Sequence, residues 1–256
     1  MKIILIGSDG AMGKVVINLA SELDYTVVAG LQANKQTVTS LPVATDFNEL
    51  TELMNQLDIK PDVIIDFSTP KLTDNLLTFA LEHNLPIMLA TTGQTQEQEA
   101  LITKAGDQIA ILDTHNTSIG VNVMQRVSQQ LSEILYPLGY DIEIIEKHHR
   151  YKKDAPSGTA KMLLQSVAEG MAEGATHIYG REGVGEARNH QEIGIHAIRG
   201  GDIVGEHTVL FANNQETIEL THRAGSKELF ARGAIAGARF LKTQSIPGIY
   251  SMNDIF

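Results

Sequence analysis

The densest chemistry in this sequence lies in twelve consecutive residues, His148-His149-Arg150-Tyr151-Lys152-Lys153-Asp154-Ala155-Pro156-Ser157-Gly158-Thr159. Five of the first six are basic. An imidazole close to an ammonium group suits proton transfer, because His titrates near neutrality and neighbouring cations lower its pKa. The Pro-Ser-Gly-Thr end reads as the opening of a helix. Ser157 or Thr159 can cap it, and its free N–H groups form a site for a carboxylate. The chain carries 20 Lys and Arg against 31 Asp and Glu, a formal net charge of −11. An anionic ligand must therefore be held by a local positive site, since the field of the whole molecule opposes it. The same imbalance argues against a nucleic-acid surface. A metal site does not fit, because adjacent strand residues point to opposite faces and no third ligand stands at a helpful spacing. A solvated basic loop would not need an anion site beside it. The segment reads as a place of catalysis or substrate binding, with no metal.

A second constellation is Gly7-Ser8-Asp9-Gly10-Ala11-Met12-Gly13, set between the apolar run Lys2 to Ile6 and apolar residues at helical spacing from Val15 to Leu23. Glycines there let the backbone approach a pyrophosphate, and the amino end of the helix favours its charge. The spacing GxxGxxG is loose as a pattern, but its place after the first strand of a βαβ series favours dinucleotide binding over a plain turn. The end of the second strand reads Ala29-Gly30-Leu31-Gln32-Ala33-Asn34-Lys35, with no carboxylate for a ribose. Gln32 can hydrogen-bond a ribose, and Lys35 can neutralise a ribose phosphate or be an ordinary surface lysine, so NADH and NADPH both stay open. Ala90-Thr91-Thr92-Gly93 follows a buried strand, where open α/β sheets take their ligands. It reads equally as a contact to the nicotinamide ribose and as a simple turn.

These residues need elements to position them. The chain has 256 residues, 43% of them hydrophobic and none of them cysteine. That length allows one or two domains. The missing thiols exclude disulfides, cysteine nucleophiles and thiolate metal sites. No cleavage pattern follows the short apolar run at the amino terminus, and no apolar stretch approaches the roughly 20 residues of a membrane span, so a soluble, cytoplasmic protein is expected. Apolar runs at Lys2–Ile6, Tyr25–Leu31, Asp62–Phe67, Pro86–Ala90 and Ile109–Leu112 alternate with helical patterns. That is the order of a parallel sheet with right-handed crossovers. Beyond residue 118 the pattern changes. It predicts a helix from Val121 to Leu135 burying Val123, Val127, Leu131 and Leu135, a strand from Tyr140 to Ile145, and a helix from Thr159 to Met171. Strands at Ile193–Arg199, His207–Ala212 and Glu216–His222 follow, then a helix from Lys227 to Leu241. The expected fold class is α/β: a Rossmann-like parallel-sheet nucleotide-binding domain, residues 1–118 plus 228–256, with a second α+β domain, residues 119–227. Gly180 to Gly185 is the expected mobile loop.

Glu143-Ile144-Ile145-Glu146 leading into the His-His-Arg cluster, and on to Asp154-Ala155-Pro156-Ser157-Gly158-Thr159-Ala160, closely resembles the signature of the dihydrodipicolinate reductase family. The resemblance extends over essentially the whole chain. It takes in the amino-terminal glycine loop, the Thr-Thr-Gly turn, Asn116 with Ser118 to Asn122, Ile193 to His196 with Arg199-Gly200-Gly201, Gly205-Glu206-His207, and Leu220 to Ala224. It implies NADH- or NADPH-dependent reduction of a cyclic dicarboxylate, 4-hydroxy-tetrahydrodipicolinate, in the diaminopimelate route to lysine. It further implies a homotetramer assembled through the second domain, with no nucleic-acid or membrane partner. By resemblance, His148 is the proton donor or acceptor and Lys152 the second catalytic group. His149, Gly158 and Thr159 bind the substrate carboxylates. Gly7, Ser8, Asp9, Gly10, Ala11 and Met12, then Ala90, Thr91 and Thr92, then Thr114, His115, Asn116 and Thr117, hold the cofactor. The chain departs from the family pattern at Gln32-Ala33, where an acidic-basic pair often follows the second strand, and at Thr114 to Thr117, which replaces a more apolar version.

Overall fold

The computed structural model describes residues 1–33, 41–172 and 174–256. They form two compact units, Met1–Ile119 with Lys227–Phe256, and Gly120–Ser226. Among the described residues no helix is long and apolar enough to cross a membrane.

The first unit contains β1 (Lys2–Ile6), α1 (Ala11–Glu22), β2 (Thr26–Leu31), β3 (Val43–Ala44), α2 (Phe47–Gln56), β4 (Val63–Asp66), α3 (Thr73–His83), β5 (Ile87–Leu89), α4 (Gln96–Gly106) and β6 (Ala110–Asp113). The second contains most of α5 (Ile119–Leu135), β7 (Asp141–His148), α6 (Gly158–Glu169), β8 (Thr176–Ile178), β9 (Glu192–Arg199), β10 (Gly205–Asn213) and β11 (Glu216–Ala224). The chain then returns to the first unit with α7 (Glu228–Lys242) and β12 (Gly248–Tyr250).

The first sheet is parallel throughout, in the order β12-β6-β5-β4-β1-β2-β3. Its central strands are apolar on both faces because helices cover both. Ile4, Ile6, Ile64 and Leu89 pack in one core with residues of α2, α3 and α4. Ile3, Leu5, Ile65 and Leu112 pack in another with residues of α1 and α7. The stretch between β2 and β4 reads only as polar in the sequence, yet it holds β3 and α2. Asp46 caps α2 by accepting from the Glu49 N–H, and Glu49 in turn accepts from the Thr45 N–H. Short edge strands such as β3, β8 and β12 escape a periodicity reading because two or three residues show no period.

The second sheet is mixed, in the order β11-β10-β7-β9-β8. β10 pairs antiparallel with β7 and β11, whereas β9 pairs parallel with β7 and β8. The face expected for α5 is borne out at Leu135 but not at Val123. Val123 is exposed and Val127 and Leu131 are only half-buried, while Met124, Ser128, Ser132 and Leu135 face inward. The small serines allow close approach to α6, where Ser132 Oγ donates to the Val167 carbonyl at 2.8 Å. Hydrophobicity alone picks the wrong stripe because closely packed helices bury small side chains. In the expected mobile loop, Arg181 is ion-paired with Glu143 and Glu192.

Helix α7 lies so close to the first unit's loop that a Cβ at Gly233 would sit 1.6 Å from the Thr117 carbonyl oxygen. Replacing an interior helical glycine with alanine normally stabilises by roughly 1 kcal/mol. Here the added methyl must displace α7 or residue 117, so Gly233→Ala is expected to destabilise by about 2 kcal/mol or more. Chemical denaturation of the two proteins checks the sign.

Candidate active site

β7 reaches three residues beyond the expected strand, so His148 is its last strand residue rather than part of a loop. Ile142, Ile144, Glu146 and His148 alternate onto the buried face of the sheet. The first two join the apolar core, and the last two turn its end into a polar site. Cross-strand register brings the partners. His207 on β10 lies opposite Glu146, His222 on β11 opposite His207, and Arg199 on β9 opposite His148.

Glu146 is fully buried. Its Oε2 accepts from His148 Nδ1 at 2.6 Å and from Arg199 Nη1 at 2.7 Å. Its Oε1 accepts from Arg199 Nη2 at 2.7 Å and from the Ser157 N–H at 3.0 Å. Burial pushes this carboxyl up, but Arg199, His148 and the Ser157 N–H together hold it below the usual glutamate range. An ionised carboxylate only accepts, so the His148 proton sits on Nδ1 and Nε2 is the ring nitrogen not bonded to Glu146. Nε2 points toward Gly205, where a Cβ would stand 3.1 Å away. Burial is the main cause that lowers the His148 pKa; Glu146 opposes it, and Lys152 and Arg199 add to it. The cluster of cations named from the sequence is thus a secondary cause.

Ser157, not Thr159, caps α6, its Oγ accepting from the Ala160 N–H. Gly158 and Thr159 open the helix, and a Cβ on Gly158 would meet nothing within 4 Å among the described residues. The open first turn fits a carboxylate. Lys152 Nζ pairs with Asp154 Oδ1 at 2.9 Å. His149 is half-buried, and its Nδ1 has no hydrogen-bond partner among the described residues. Among the described residues no group of three or more His, Asp or Glu side chains could hold a metal.

In the first unit the predicted cofactor residues gather at the carboxyl ends of the parallel strands, where open α/β sheets bind ligands. Gly7 has φ +81°, and a Cβ there would sit 2.6 Å from the Phe67 carbonyl oxygen. Gly10 caps α1, which begins at Ala11, so Ala11 and Met12 lie in its first turn rather than before it. Asp9 and Ala11 are exposed. A glycine-capped helix start with open N–H groups fits a pyrophosphate. Ser8 is buried, its Oγ donating to Gln32 Oε1 at 3.2 Å. Gln32 itself is only 5% exposed, so it braces the glycine loop rather than reaching into solvent. Lys35 lies outside the described residues. The Ala90 N–H donates to the Asp66 carbonyl, the buried Thr91 Oγ1 accepts from the Ser68 N–H, and Thr92 is exposed. Thr114 Oγ1 donates to the Asn116 carbonyl, Thr117 Oγ1 donates to the Phe230 carbonyl, and His115 is exposed.

Sequence reasoning gave no role to Glu146, Arg199 or His207. Period-two alternation from Ile142 places Glu146 at a core position, which was a usable signal. Arg199 and His207 arrive only through strand register, which one sequence does not display. His207 is 4% exposed, bonds Ser157 Oγ through Nε2 at 3.0 Å, and meets the His148 ring edge-on at 5.1 Å. Burial, then the charge of His148, lowers its pKa to about 4. The unfolded histidine titrates near 6.5, so the native state resists a proton that the unfolded chain accepts. Stability from this residue is present above about pH 6.5 and is lost as pH falls toward 4. Between pH 7.5 and 4.5, urea titration should show the wild type losing about 2–3 kcal/mol more than His207→Asn.

The family description "Dihydrodipicolinate reductase, N-terminus" matches residues 1–117, and "Dihydrodipicolinate reductase, C-terminus" matches residues 120–256. The 4-hydroxy-tetrahydrodipicolinate reductase of Caldanaerobacter subterraneus subsp. tengcongensis is 41% identical over 256 residues, covering 100% of this chain and 98% of that protein. The protein of the same name from an Exiguobacterium species is 42% identical over 253 residues, covering 99% and 95%. The dipicolinate-bound dihydrodipicolinate reductase of Paenisporosarcina sp. TG-14 shares the fold with a TM-score of 0.82 at 24% identity, covering 100% of this chain and 99% of that one. Both halves of the sequence and the fold agree: the chain belongs to the dihydrodipicolinate reductase family.

Proposed function

We propose that the chain reduces 4-hydroxy-tetrahydrodipicolinate to tetrahydrodipicolinate with a nicotinamide cofactor, in the cytoplasm, as a step of the diaminopimelate route to lysine. The observation that carries this reading is the buried His148–Glu146–Arg199 constellation beside Lys152 and the opening of α6, in a chain of this family. The bound nicotinamide would be held by Gly7 to Met12, Ala90 to Thr92 and Thr114 to Thr117, with Gln32 bracing Ser8, and it supplies the hydride. Loss of water, made from the 4-hydroxyl and an adjacent ring C–H, leaves a conjugated ring. Hydride addition at the carbon that bore the hydroxyl then puts enamine-like electron density on the neighbouring carbon, which takes one proton. His148 Nε2 delivers that proton, and its lowered pKa makes the imidazolium a readier donor. Lys152, His149 and the first N–H groups of α6 at Gly158 and Thr159 hold the two carboxylates and offset their charge.

The homotetramer belongs to the same proposal. Ile145, Leu210 and Thr208 alternate onto the outward face of the second sheet and remain half-exposed, and Ile198 is exposed beside them. The same face carries Glu143 and the Lys147–Glu206 ion pair, so it offers apolar and charged groups together for association of like copies.

His148→Gln should fold and bind both ligands normally but lower kcat by about 10²–10⁴, the usual worth of a general acid. Assay by NAD(P)H absorbance, coupled to synthesis of the substrate from pyruvate and aspartate semialdehyde, reads this directly. Near-wild-type turnover would pass the role to another group. With no carboxylate at Gln32 to repel a ribose phosphate, NADH and NADPH should serve within about tenfold in kcat/KM, a difference of about 1.4 kcal/mol. The same assay run with both cofactors measures the ratio.

A further inference from the structure

We infer that Glu146 is a positioning residue for the proton donor and that, through Arg199 and Ser157, it also fixes the start of the substrate-carboxylate helix. This rests on the reading of His148 as the proton donor and deepens it. The geometry is that of one buried carboxylate with four donors. His148 Nδ1, two Arg199 nitrogens and the Ser157 N–H all reach its two oxygens within 3.0 Å. These donors come from the end of β7, from β9 and from the residue that caps α6. The loop between them is pinned on the same group, because Arg199 Nη2 also donates to the Asp154 carbonyl at 2.7 Å. Backbone bonds close it from the other side, with the Gly200 N–H donating to the His148 carbonyl and the Arg150 N–H to the Gly201 carbonyl.

Three consequences follow for the chemistry. The carboxylate fixes the tautomer, leaving Nε2 as the nitrogen that exchanges a proton. It favours the imidazolium, against burial and against the cations facing His148, which are Lys152 from the loop and Arg199 from β9. The other titratable groups on this face are His207 on β10 and His222 on β11, and burial lowers the pKa of both, which keeps them neutral near pH 7. Arg199 balances the charge of Glu146, so that the carboxylate orients His148 without itself taking the proton.

The test uses the full-length protein with Glu146→Gln, Glu146→Asp and the charge-neutral double variant Glu146→Gln/Arg199→Gln, which leaves no unpaired buried charge if the single variant fails to fold. Ring ¹⁵N spectra of His148 are recorded from pH 5 to 9, alongside kcat and KM as functions of pH. The Gln variants should lose the Nδ1–H tautomer and titrate His148 at lower pH. The limb on which kcat falls as the donor deprotonates should move the same way, and kcat at pH 7.5 should drop about 10–100-fold. KM for NAD(P)H should stay within twofold, KM for the dicarboxylate should rise, and Glu146→Asp should recover part of the titration shift. If His148 in a folded Gln variant keeps its tautomer and titration, the inference is overturned. If the spectra change as expected while His148→Gln keeps full turnover, the positioning stands and the catalytic role of His148 falls.

Discussion

A carboxylate with no contact to water is the fixed point of the second unit. Glu146 occupies the position in β7 where another isoleucine would complete the apolar stripe. Moving such a charge out of water costs several kcal/mol, which only well-formed partners offset. Arg199 supplies two bonds to it, His148 one and the Ser157 backbone one. The partners are therefore not free to drift. Whatever keeps the carboxylate satisfied also keeps the imidazole, the loop and the opening of α6 in register with the sheet. Removing one partner of a buried pair commonly destabilises by about 3–5 kcal/mol, so the bonds that place the imidazole also weigh on folding.

The two units solve the placing of polar groups in different ways. In the first, the residues proposed to hold the cofactor lie in turns at the carboxyl ends of parallel strands. The Gly7 N–H donates to the Leu31 carbonyl and the Gly10 N–H to the Gly7 carbonyl, which shapes the turn into α1, and the buried side chains Ser8, Thr91 and Asp66 hold the loops from beneath. In the second, side chains carry the site, and antiparallel and parallel register brings His207, Arg199 and His148 to one end of one face. Burial sets the titration of that group. It lowers the pKa of His148, His207 and His222 alike, while the ion pair holds Glu146 ionised.

The central strands of the first sheet were legible, down to the three-residue β5, because burial on both faces makes each a continuous apolar run and each is separated from the next by a helix. The short edge strands β3, β8 and β12, of two or three residues and partly exposed, were not. For α5, side-chain apolarity pointed to Val123 and Val127, but the contact with α6 selects Ser132, because helix spacing rewards small volume as much as apolarity. The twelve-residue segment could be recognised from composition, as basic residues stand out in an acidic chain. The group that organises it showed only as a carboxylate at a core position of β7, and its role could not be read until its partners on β9 and at the start of α6 were known.

The return of the chain to its first unit bears on how the protein is made. Synthesis proceeds from the amino end at about 5–20 residues per second, and domains tend to fold as they become complete. Gly120–Ser226 has all of its strands before α7 and β12 exist. The amino-terminal sheet, though translated earlier, then still lacks the helix that covers Met88 and Leu112 and the strand that pairs with the edge of β6. Until Glu228–Tyr250 emerges, it presents an apolar face and an unpaired strand edge, the combination that invites aggregation. The nascent chain is thus vulnerable in the sheet that precedes the second unit, and α7 and β12 act as its closing cover.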